Sequence, residues 1–272
     1  MSARRQLEAV VLRLGPDIGR LKSRLRPLRQ QMHYLRFKLT NRDSISFTCP
    51  ICHYRGPFAD ANDPTGVRKY AKCPRCGALE RHRIQFLALQ RVLEGRPTRQ
   101  MSLLHFAPEP FFVDLFRGKF GRYETADLEV DGVDHKVDIQ KLPFRDASYD
   151  LVYASHVLEH IPDDRAAIAE IRRILKPGGF AMLAVPMVGE TTVEYGAPDE
   201  RDYGHVRAPG YDYFQSLKSY FARVEEHSSD SFDPQYQVYV YEDRSAWPNE
   251  MFPKRTPTQG EKHRDVVAVC FA

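Results

Sequence analysis

Four of the five cysteines stand in two closely spaced pairs, Cys49-Pro-Ile-Cys52 and Cys73-Pro-Arg-Cys76, with twenty residues between the pairs. Two thiolates at this spacing sit on one tight turn and can bind the same ion, and two such turns complete a tetrahedral Zn²⁺ site. The pattern predicts a structural zinc ribbon with all four cysteines as ligands; redox-active pairs and unligated thiols are the alternatives. The fifth cysteine, Cys270, lies in an apolar run and is predicted to be a small buried residue.

Short apolar runs and amphipathic stretches alternate after the cysteine pairs. The apolar runs predict strands at 102–106, 123–126, 151–154 and 180–185, and the amphipathic stretches predict helices at 80–93 and 164–175. Alternation of this kind is typical of βαβ units in a doubly wound, mostly parallel sheet of the α/β class. Two further stretches, 236–241 and 266–271, have no helix between them, and we expect them to pair antiparallel at the sheet edge.

The positive charge of the chain is confined to its first segment. Residues 1–43 contain eleven Lys and Arg against three Asp and Glu, whereas the remaining residues contain 29 basic and 33 acidic side chains. Although the formal net charge is +4 over 272 residues, residues 44–272 are therefore mildly acidic. An interpretation as a nucleic-acid-binding surface applies only to the first segment.

Apolar residues in this basic segment recur with a heptad period, the a/d pattern of a coiled-coil seam. They are Leu7, Leu14, Leu21, Leu28 and Leu35 in one series, and Val11, Ile18, Leu25, Met32 and Leu39 in the other. Prolines at 16 and 27 interrupt the pattern, because an interior proline breaks or kinks a helix. We predict a broken, basic amphipathic helical arm that either self-associates through residues 7–39 or packs on its own domain. Contact with acidic lipid and an organelle transit role are weaker alternatives.

No apolar run approaches the length of a membrane span. The longest, at 180–188, is interrupted by Pro186. The arginines near the N-terminus are not followed by an uninterrupted apolar segment, so a secretory signal is not predicted. We therefore expect a protein of the reducing cytoplasm without a transmembrane segment.

Three motifs carry a resemblance to a known family. Residues 138–144 read Asp-Ile-Gln-Lys-Leu-Pro-Phe, residues 149–161 read Tyr-Asp-Leu-Val-Tyr-Ala-Ser-His-Val-Leu-Glu-His-Ile, and residues 175–179 read Leu-Lys-Pro-Gly-Gly. This run resembles the class I S-adenosylmethionine-dependent methyltransferases of the type 11 group, best over 138–187 and more loosely over about 100–272. The resemblance implies a Rossmann-like sheet of seven strands. The implied domain order is helical arm (1–43), zinc ribbon plus linking helix (44–97) and methyltransferase domain (98–272).

The resemblance also implies how S-adenosylmethionine is held. In an open α/β sheet the ligand lies at the carboxyl ends of the strands, where Asp127 can accept both ribose hydroxyls and Leu128 can cover one face of the adenine. Asp138 is implied to contact the adenine amino group, with the backbone of Ile139 as an adjacent donor. Three residues after the fourth strand are implied to line the methionine end of the site: Ala154, Ser155 and His156.

The loop after the first strand of this domain departs from the family pattern. The family places a Gly-x-Gly loop there, whereas this chain reads His105-Phe-Ala-Pro-Glu-Pro. Ala107 stands in for a glycine, and the two prolines remove two N–H donors and stiffen the loop. We expect the cofactor to be held differently, with Glu109 or His105 meeting its amino group.

The segment after the fifth strand is the usual acceptor wall of this fold. Here His205 is the candidate general base, and Tyr203 and Arg207 are candidates for orienting the acceptor, with Arg207 able to grip a carboxylate or phosphate. The sequence indicates no second metal site among Asp127, Asp138 and the histidines. Since the catalytic body is mildly acidic, we favour transfer to a small-molecule or glycan acceptor, at oxygen. An RNA base methyltransferase that uses the ribbon and arm to bind RNA, and a catalytically silent scaffold, are the alternatives.

Overall fold

The computed structural model describes residues 32, 34–63 and 66–272. Most heptad positions of the predicted arm lie outside the described residues, so the coiled-coil prediction stays a prediction. A helical stretch at 34–40 is the described end of the arm, and there Tyr34 packs edge-on against Tyr54 with ring centroids 6.0 Å apart. Three seam residues are described and stand exposed by 61%, 44% and 73%: Met32, Leu35 and Leu39.

Fifteen strands and four helices of at least six residues are labelled here in chain order within the described residues. The strands are β1 (Phe47–Thr48), β2 (Arg55–Gly56), β3 (Ala59–Asp63), β4 (Gly66–Lys72), β5 (Ser102–Phe106), β6 (Arg122–Asp127), β7 (His135–Lys136), β8 (Tyr149–Ser155), β9 (Leu175–Ala184), β10 (Val193–Asp199), β11 (His205–Ala208), β12 (Arg223–Ser228), β13 (Val240–Tyr241), β14 (Lys262–His263) and β15 (Val266–Phe271). The helices are α1 (Glu80–Leu93), α2 (Pro110–Phe116), α3 (Asp164–Ile174) and α4 (Tyr211–Ser216).

The central sheet has seven strands in the order β12-β15-β9-β8-β5-β6-β7. β15 runs antiparallel to both of its neighbours, and the other pairings are parallel. From β5 the chain moves outward to β6 and β7 and then returns to β8 on the other side, so the strand order reverses between β5 and β8. This confirms the predicted doubly wound, mostly parallel sheet, and it places the ligand-binding crevice at the carboxyl ends of β5 and β8.

The helices cover the two faces of the sheet because each presents an apolar stripe. In α3 the buried side chains are Ala167, Ile168, Ile171 and Ile174, the spacing of one helix face. The carboxylate of Asp163 caps this helix by accepting the N–H of Ala166 at 3.0 Å. The sheet therefore lies between two hydrophobic cores, with α3 in one and α1 in the other.

The predicted pairing of 236–241 with 266–271 is wrong. All six side chains of β15 are buried, as in an interior strand, and it pairs with β12 on one edge and β9 on the other. β13 instead joins the sheet of the cysteine-bearing segment, in the order β14-β13-β4-β3. Strands from 98–272 therefore complete the ribbon sheet, and the two predicted domains share hydrogen-bonded structure.

Arg83 of α1 fastens the cysteine-bearing segment to the rest of the chain. Its side chain is fully buried, and its guanidinium donates to the carbonyl oxygens of Ala71 and Ala78 at 2.9 and 2.8 Å. It also donates to the carbonyls of Tyr236 and Gln237, at 3.0 and 2.6 Å. One buried cation thus binds backbone from both predicted domains. Among the helices of the described ranges, none is long and apolar enough to cross a membrane.

Candidate functional site

The four paired cysteines converge on one point. Sγ of Cys49 lies 3.7 Å from that of Cys76, Sγ of Cys52 lies 3.6 Å from that of Cys73, and the four sulfurs all lie within 4.8 Å of one another. A zinc ion with Zn–S bonds of about 2.3 Å in a tetrahedron separates its sulfurs by about 3.8 Å. None of these cysteines forms a disulfide. The spacing and the donor set therefore fit a tetrahedral thiolate site for Zn²⁺.

The two cysteine turns are built alike. The N–H of Cys49 donates to the carbonyl of Tyr54, and the N–H of Cys73 donates to that of Ala78, five residues on in each case. The fifth residue of each turn, His53 or Gly77, returns a hydrogen bond to the first cysteine and has a left-handed backbone, with φ of 58° and 78°. Each turn therefore fixes its two sulfurs through local backbone geometry.

The loop after β5 adopts a glycine-like conformation without glycine. Ala107 has φ of 45°, and its N–H donates to the carbonyl of Ala126 at 2.9 Å. Pro110 occupies the first turn of α2, where a missing N–H costs little. Glu109 lies between them as the N-cap residue of α2. The loop is therefore stiff and presents a carboxylate at the crevice.

Glu109 is held by the linking helix rather than by its own domain. Its Oε1 accepts from Nη2 of Arg81 at 2.5 Å and lies 3.3 Å from Nε2 of His82. Burial opposes ionisation of Glu109, but the hydrogen bond from His82 and the charge of Arg81 outweigh it and lower its pKa to about 2. Its Oε2 is buried without a hydrogen-bond partner among the described residues. An ionised carboxylate with one unpartnered oxygen fits the ammonium group of the cofactor's methionine.

Asp127 ends β6 with one oxygen engaged. Its Oδ1 accepts the N–H groups of Glu129 and Val130 at 2.8 and 2.9 Å, which fixes the loop, whereas Oδ2 has no hydrogen bond within the described ranges. Leu128 follows it with 55% of its surface exposed. These features suit a ribose and an adenine face, the roles implied by the resemblance.

Asp138 lies two residues after the end of β7. Its carboxylate already accepts from the backbone N–H of Gln140 at 2.8 Å and from the Gln140 amide at 3.0 Å. Ile139 beside it is buried. A ligand amino group would therefore share Asp138 with Gln140, which fixes the orientation of the carboxylate.

The last two residues of β8, Ala154 and Ser155, face opposite sides of the sheet, and His156 follows them. Ala154 is buried in the core that contains α3, whereas the hydroxyl of Ser155 accepts from Nε2 of Gln85 at 3.0 Å on the side of α1. His156 has φ of 55°, and its N–H donates to the carbonyl of Ala184. Of the three, His156 lines the cavity described next.

His105 does not lie in the cofactor loop. It is fully buried on β5, where Nδ1 lies 3.0 Å from the hydroxyl of Tyr123 and the ring packs edge-on against Tyr153 and Phe116. Burial lowers its pKa to about 4, so the ring is neutral. The expectation that His105 meets the cofactor is therefore corrected, because strand alternation turns this side chain into the core.

A cavity of about 370 Å³ lies where the ribbon, α1 and the carboxyl end of the sheet meet. Arg68 of β4 and Arg81 of α1 contribute to one wall, and His156 to another. Tyr203, which precedes β11, and His205, the first residue of β11, also line the cavity. The structure thus brings together residues from both predicted domains around one space of ligand size.

The predicted acceptor residues separate into two groups. Tyr203, which is 55% exposed, and His205 face the cavity. Burial lowers the pKa of His205 to about 4, so its imidazole is neutral and can accept a proton. Arg207 is buried instead, and its guanidinium donates to the carbonyls of Leu158 and Ile161, both at 2.7 Å. The expectation that Arg207 grips an acceptor is corrected, because its donors are engaged by backbone carbonyls and by the carboxylate of Glu194.

Asp265 is a cavity residue that sequence reasoning missed. It precedes β15, and since β15 runs antiparallel to β9, its side chain arrives at the carboxyl edge of the sheet. Burial raises its pKa to about 6, although the charge of His156 opposes the shift. An acidic residue next to a wholly apolar strand was the available signal.

Parts of the chain are similar to known methyltransferases. The family described as "Methyltransferase domain" matches residues 113–183. A demethylmenaquinone methyltransferase of Corynebacterium efficiens is 32% identical over 113 residues, 42% of each chain. A dimethylglycine N-methyltransferase of Parasynechococcus marenigrum is 35% identical over 65 residues, 24% of this chain and 23% of that protein. A solved S-adenosylmethionine-dependent methyltransferase of Mesorhizobium loti is 16% identical, with 70% of this chain and 99% of that one covered and a TM-score of 0.45.

The chain therefore contains a segment, residues 113–183, that is similar to the methyltransferase-domain family. The matched family region runs from within α2 to β9 and includes β6, β7 and β8, whereas β5 precedes it. The chain spans less than half the length of the curated relatives that it matches, so their acceptors are not transferred to it.

Proposed function

We propose that this protein transfers a methyl group from S-adenosylmethionine to an oxygen of a small-molecule or glycan acceptor held in the 370 Å³ cavity. The observation that carries the proposal is the position of His156, which follows β8 at the methionine end of the implied cofactor site and also lines the cavity. Cofactor and acceptor would therefore meet at this residue. Methyl transfer needs such a meeting, since most of its acceleration comes from in-line placement of the two reactants.

Different residues of the crevice would contact different parts of the cofactor. Glu109 would accept from the methionine ammonium, Asp127 would accept from the ribose hydroxyls, and Leu128 would cover the adenine. Asp138 would accept from the adenine amino group. S-adenosylmethionine supplies the reactive methyl group, and the protein supplies position and a proton acceptor.

Two groups of the cavity wall are candidates to accept the acceptor's proton, His205 and Asp265. A base with a pKa near the working pH is the most effective, which favours Asp265 with its pKa of about 6. If Asp265 is the base, kcat/KM falls as the pH drops through about 6, and Asp265→Asn removes that dependence. Activity that survives in Asp265→Asn but not in His205→Gln would assign the proton to His205.

The acceptor class is tested with labelled cofactor and a fractionated cell extract. We expect label in a small-molecule or glycan fraction, and a hydroxyl-linked methyl ether on analysis of the product. Label in RNA would instead support the RNA base methyltransferase. No cofactor binding at millimolar S-adenosylmethionine, by isothermal titration, would support the silent scaffold.

We further propose that Cys49, Cys52, Cys73 and Cys76 bind a structural Zn²⁺ ion and that the arm self-associates. The exposed stripe of Met32, Leu35 and Leu39 supports the second part, because a heptad seam is buried by a partner helix. Light scattering should show an oligomer for the full chain and a monomer after deletion of residues 1–43. A monomeric full chain would contradict self-association.

A further inference from the structure

A second cluster of metal-binding side chains lies beside the cavity. Glu159 and His160 belong to a 3₁₀ turn (Leu158–His160), and His205 begins β11; the ligand atoms of the three residues all lie within 4.8 Å of one another. The rings of His160 and His205 stand edge to face with centroids 4.6 Å apart. Two imidazoles and one carboxylate form a common three-residue donor set for divalent transition metals.

Polar atoms of this cluster lack partners within the part of the chain that the structure describes. Glu159 is fully buried, and neither of its carboxylate oxygens receives a hydrogen bond. Its one close polar neighbour in the described ranges is His156, whose Nδ1 lies 3.2 Å from Oε1. A buried carboxylate whose one close polar neighbour is an imidazole is costly unless a cation compensates its charge, which makes Glu159 a candidate metal ligand.

Surrounding residues fix the cluster in place. The hydrogen bonds from Arg207 to the carbonyls of Leu158 and Ile161 tie the turn that carries two of the ligands to the strand that carries the third. Oδ1 of Asp202 lies 3.4 Å from Nδ1 of His205. Metal-bound histidines usually direct their second nitrogen at a carboxylate, and Asp202 is placed for that role.

A buried arginine holds that carboxylate in turn. Arg255 donates to both oxygens of Asp202, at 3.0 and 2.5 Å, and the hydroxyl of Tyr195 donates to Oδ2 at 2.6 Å. Asp202 is itself 1% exposed. The outer partners of the cluster are therefore preorganised, which distinguishes it from a chance group of surface side chains.

We propose that Glu159, His160 and His205 bind one divalent transition-metal ion of the zinc class, separate from the four-cysteine site. Three protein ligands leave an open coordination position, and since His205 lines the cavity, that position opens toward the acceptor. A role for the ion in polarising the acceptor oxygen rests on the proposed function, whereas the binding of the ion does not. When His205 is a ligand, Asp265 is the remaining proton acceptor of the two named above.

The test counts metal ions on the full-length protein. The chain is stripped with chelator under reducing conditions, loaded with Zn²⁺ and desalted, and zinc per chain is measured by mass spectrometry. We expect about two ions per chain in the wild type and about one in Glu159→Gln and in His205→Gln. The matched controls Glu94→Gln and His135→Gln, on an exposed helix end and at the far sheet edge, should keep about two.

A Co²⁺ titration separates the two sites. The first site gives intense thiolate-to-cobalt charge-transfer absorption, and the second adds only weak bands, which should vanish in Glu159→Gln while the thiolate absorption stays. The retained thiolate signal also shows that the variant is folded. A single ion in the wild type would overturn the proposal, and His156 would then be the partner of Glu159. Two ions retained in both variants would also overturn it. Neither readout depends on methyl transfer, so an inactive protein does not affect the result.

Discussion

The four-cysteine ribbon and the cavity wall both gather chemical side chains, but different contacts hold them. In the ribbon, backbone hydrogen bonds within two short turns place the sulfurs, such as that from Cys49 to Tyr54. On the cavity wall the groups come from distant parts of the chain, and buried arginines hold them. Arg255 binds the carboxylate of Asp202, and Arg207 binds the turn before α3.

This difference predicts two modes of failure. If the proposed Zn²⁺ ion joins the four cysteine sulfurs, the fold of this segment depends on one component, and we expect it to be lost as a unit when the ion is lost. The wall has several independent charged contacts, so removal of one should weaken it by a limited amount and leave the others in place. The variants below test this contrast, in order of decreasing expected effect.

The largest effect is expected for Cys73→Ser, which removes one sulfur of the ribbon. Structural zinc contributes on the order of 10 kcal/mol of binding free energy to the fold. Because Arg83 ties the ribbon backbone to the C-terminal segment, we expect loss of the ion to lower the melting temperature by about 10 °C or more. Thermal unfolding by circular dichroism, together with zinc analysis, measures it.

The control for this variant is Cys270→Ala, which alters a buried cysteine of β15 outside the ribbon. It should keep the ribbon zinc and lose only the stability of a small core truncation, about 1–2 kcal/mol. An unchanged melting temperature in Cys73→Ser would show that the ribbon does not depend on the ion.

On the cavity wall, Arg255→Met leaves the buried carboxylate of Asp202 with Tyr195 as its remaining strong donor. Removing one partner of a buried ion pair lowers the free energy of unfolding by about 3–5 kcal/mol. Packing of the methionine side chain on Phe252 offsets part of this loss, so we expect a decrease of about 3 kcal/mol. Urea unfolding measures the change, with the exposed Arg99→Met as the control. The ribbon zinc content should stay at the wild-type level; zinc lost together with stability would make the two regions one cooperative unit.

The loop after β5, which contacts helix α1 through Glu109, is tested by Glu109→Gln. The neutral amide keeps the shape of the side chain but loses the charge that would meet the cofactor's ammonium group. We expect the Kd for S-adenosylmethionine to rise about tenfold or more, which is about 1.4 kcal/mol, by isothermal titration. Glu94→Gln, on the far end of α1, should bind as the wild type does; equal binding in both variants would remove Glu109 from the cofactor site.

Local patterns determine which of these features the sequence could reveal. Helix α1 lies at Glu80–Leu93 and strand β5 at Ser102–Phe106, as predicted, because an apolar pattern and nearby glycine and proline define each element. The cysteine turns are equally local. The sheet partner of β13 was mispredicted because pairing between strands depends on the tertiary fold rather than on either strand alone.

The candidate site was predicted in part for the same reason. Asp127 ends β6 and Glu109 lies three residues after β5, so the sequence could indicate that both lie near the carboxyl edge of the sheet. Arg81 and His82 reach Glu109 from the linking helix, 28 and 27 residues earlier in the chain, and such a contact has no periodic signal. Asp265 arrives at the cavity only because β15 is antiparallel, which a strand pattern does not specify.

The smallest effect is expected for Asp265→Asn, and its size depends on pH. Burial raises the pKa of this carboxyl to about 6 from an ordinary value of 3.8, so the folded state disfavours its charged form. Below about pH 4 the group is neutral in both folded and unfolded chains and costs nothing. As the pH rises through about 6 the folded chain must keep it ionised, and wild-type stability falls.

The N–H of Val266 donates a hydrogen bond to Oδ1 of Asp265 at 2.9 Å. Asparagine at this position can accept the same hydrogen bond and has no charge to bury. One unit of pKa shift corresponds to about 1.4 kcal/mol, and water in the cavity screens part of this energy. We therefore expect Asp265→Asn to raise the free energy of unfolding by about 1 kcal/mol above pH 7 and to leave it unchanged at pH 4. Urea unfolding at both values measures the difference. A loss of stability at pH 7 would mean that the ionised carboxylate has a stabilising partner, and the cavity wall would then resemble the ribbon in needing a cation.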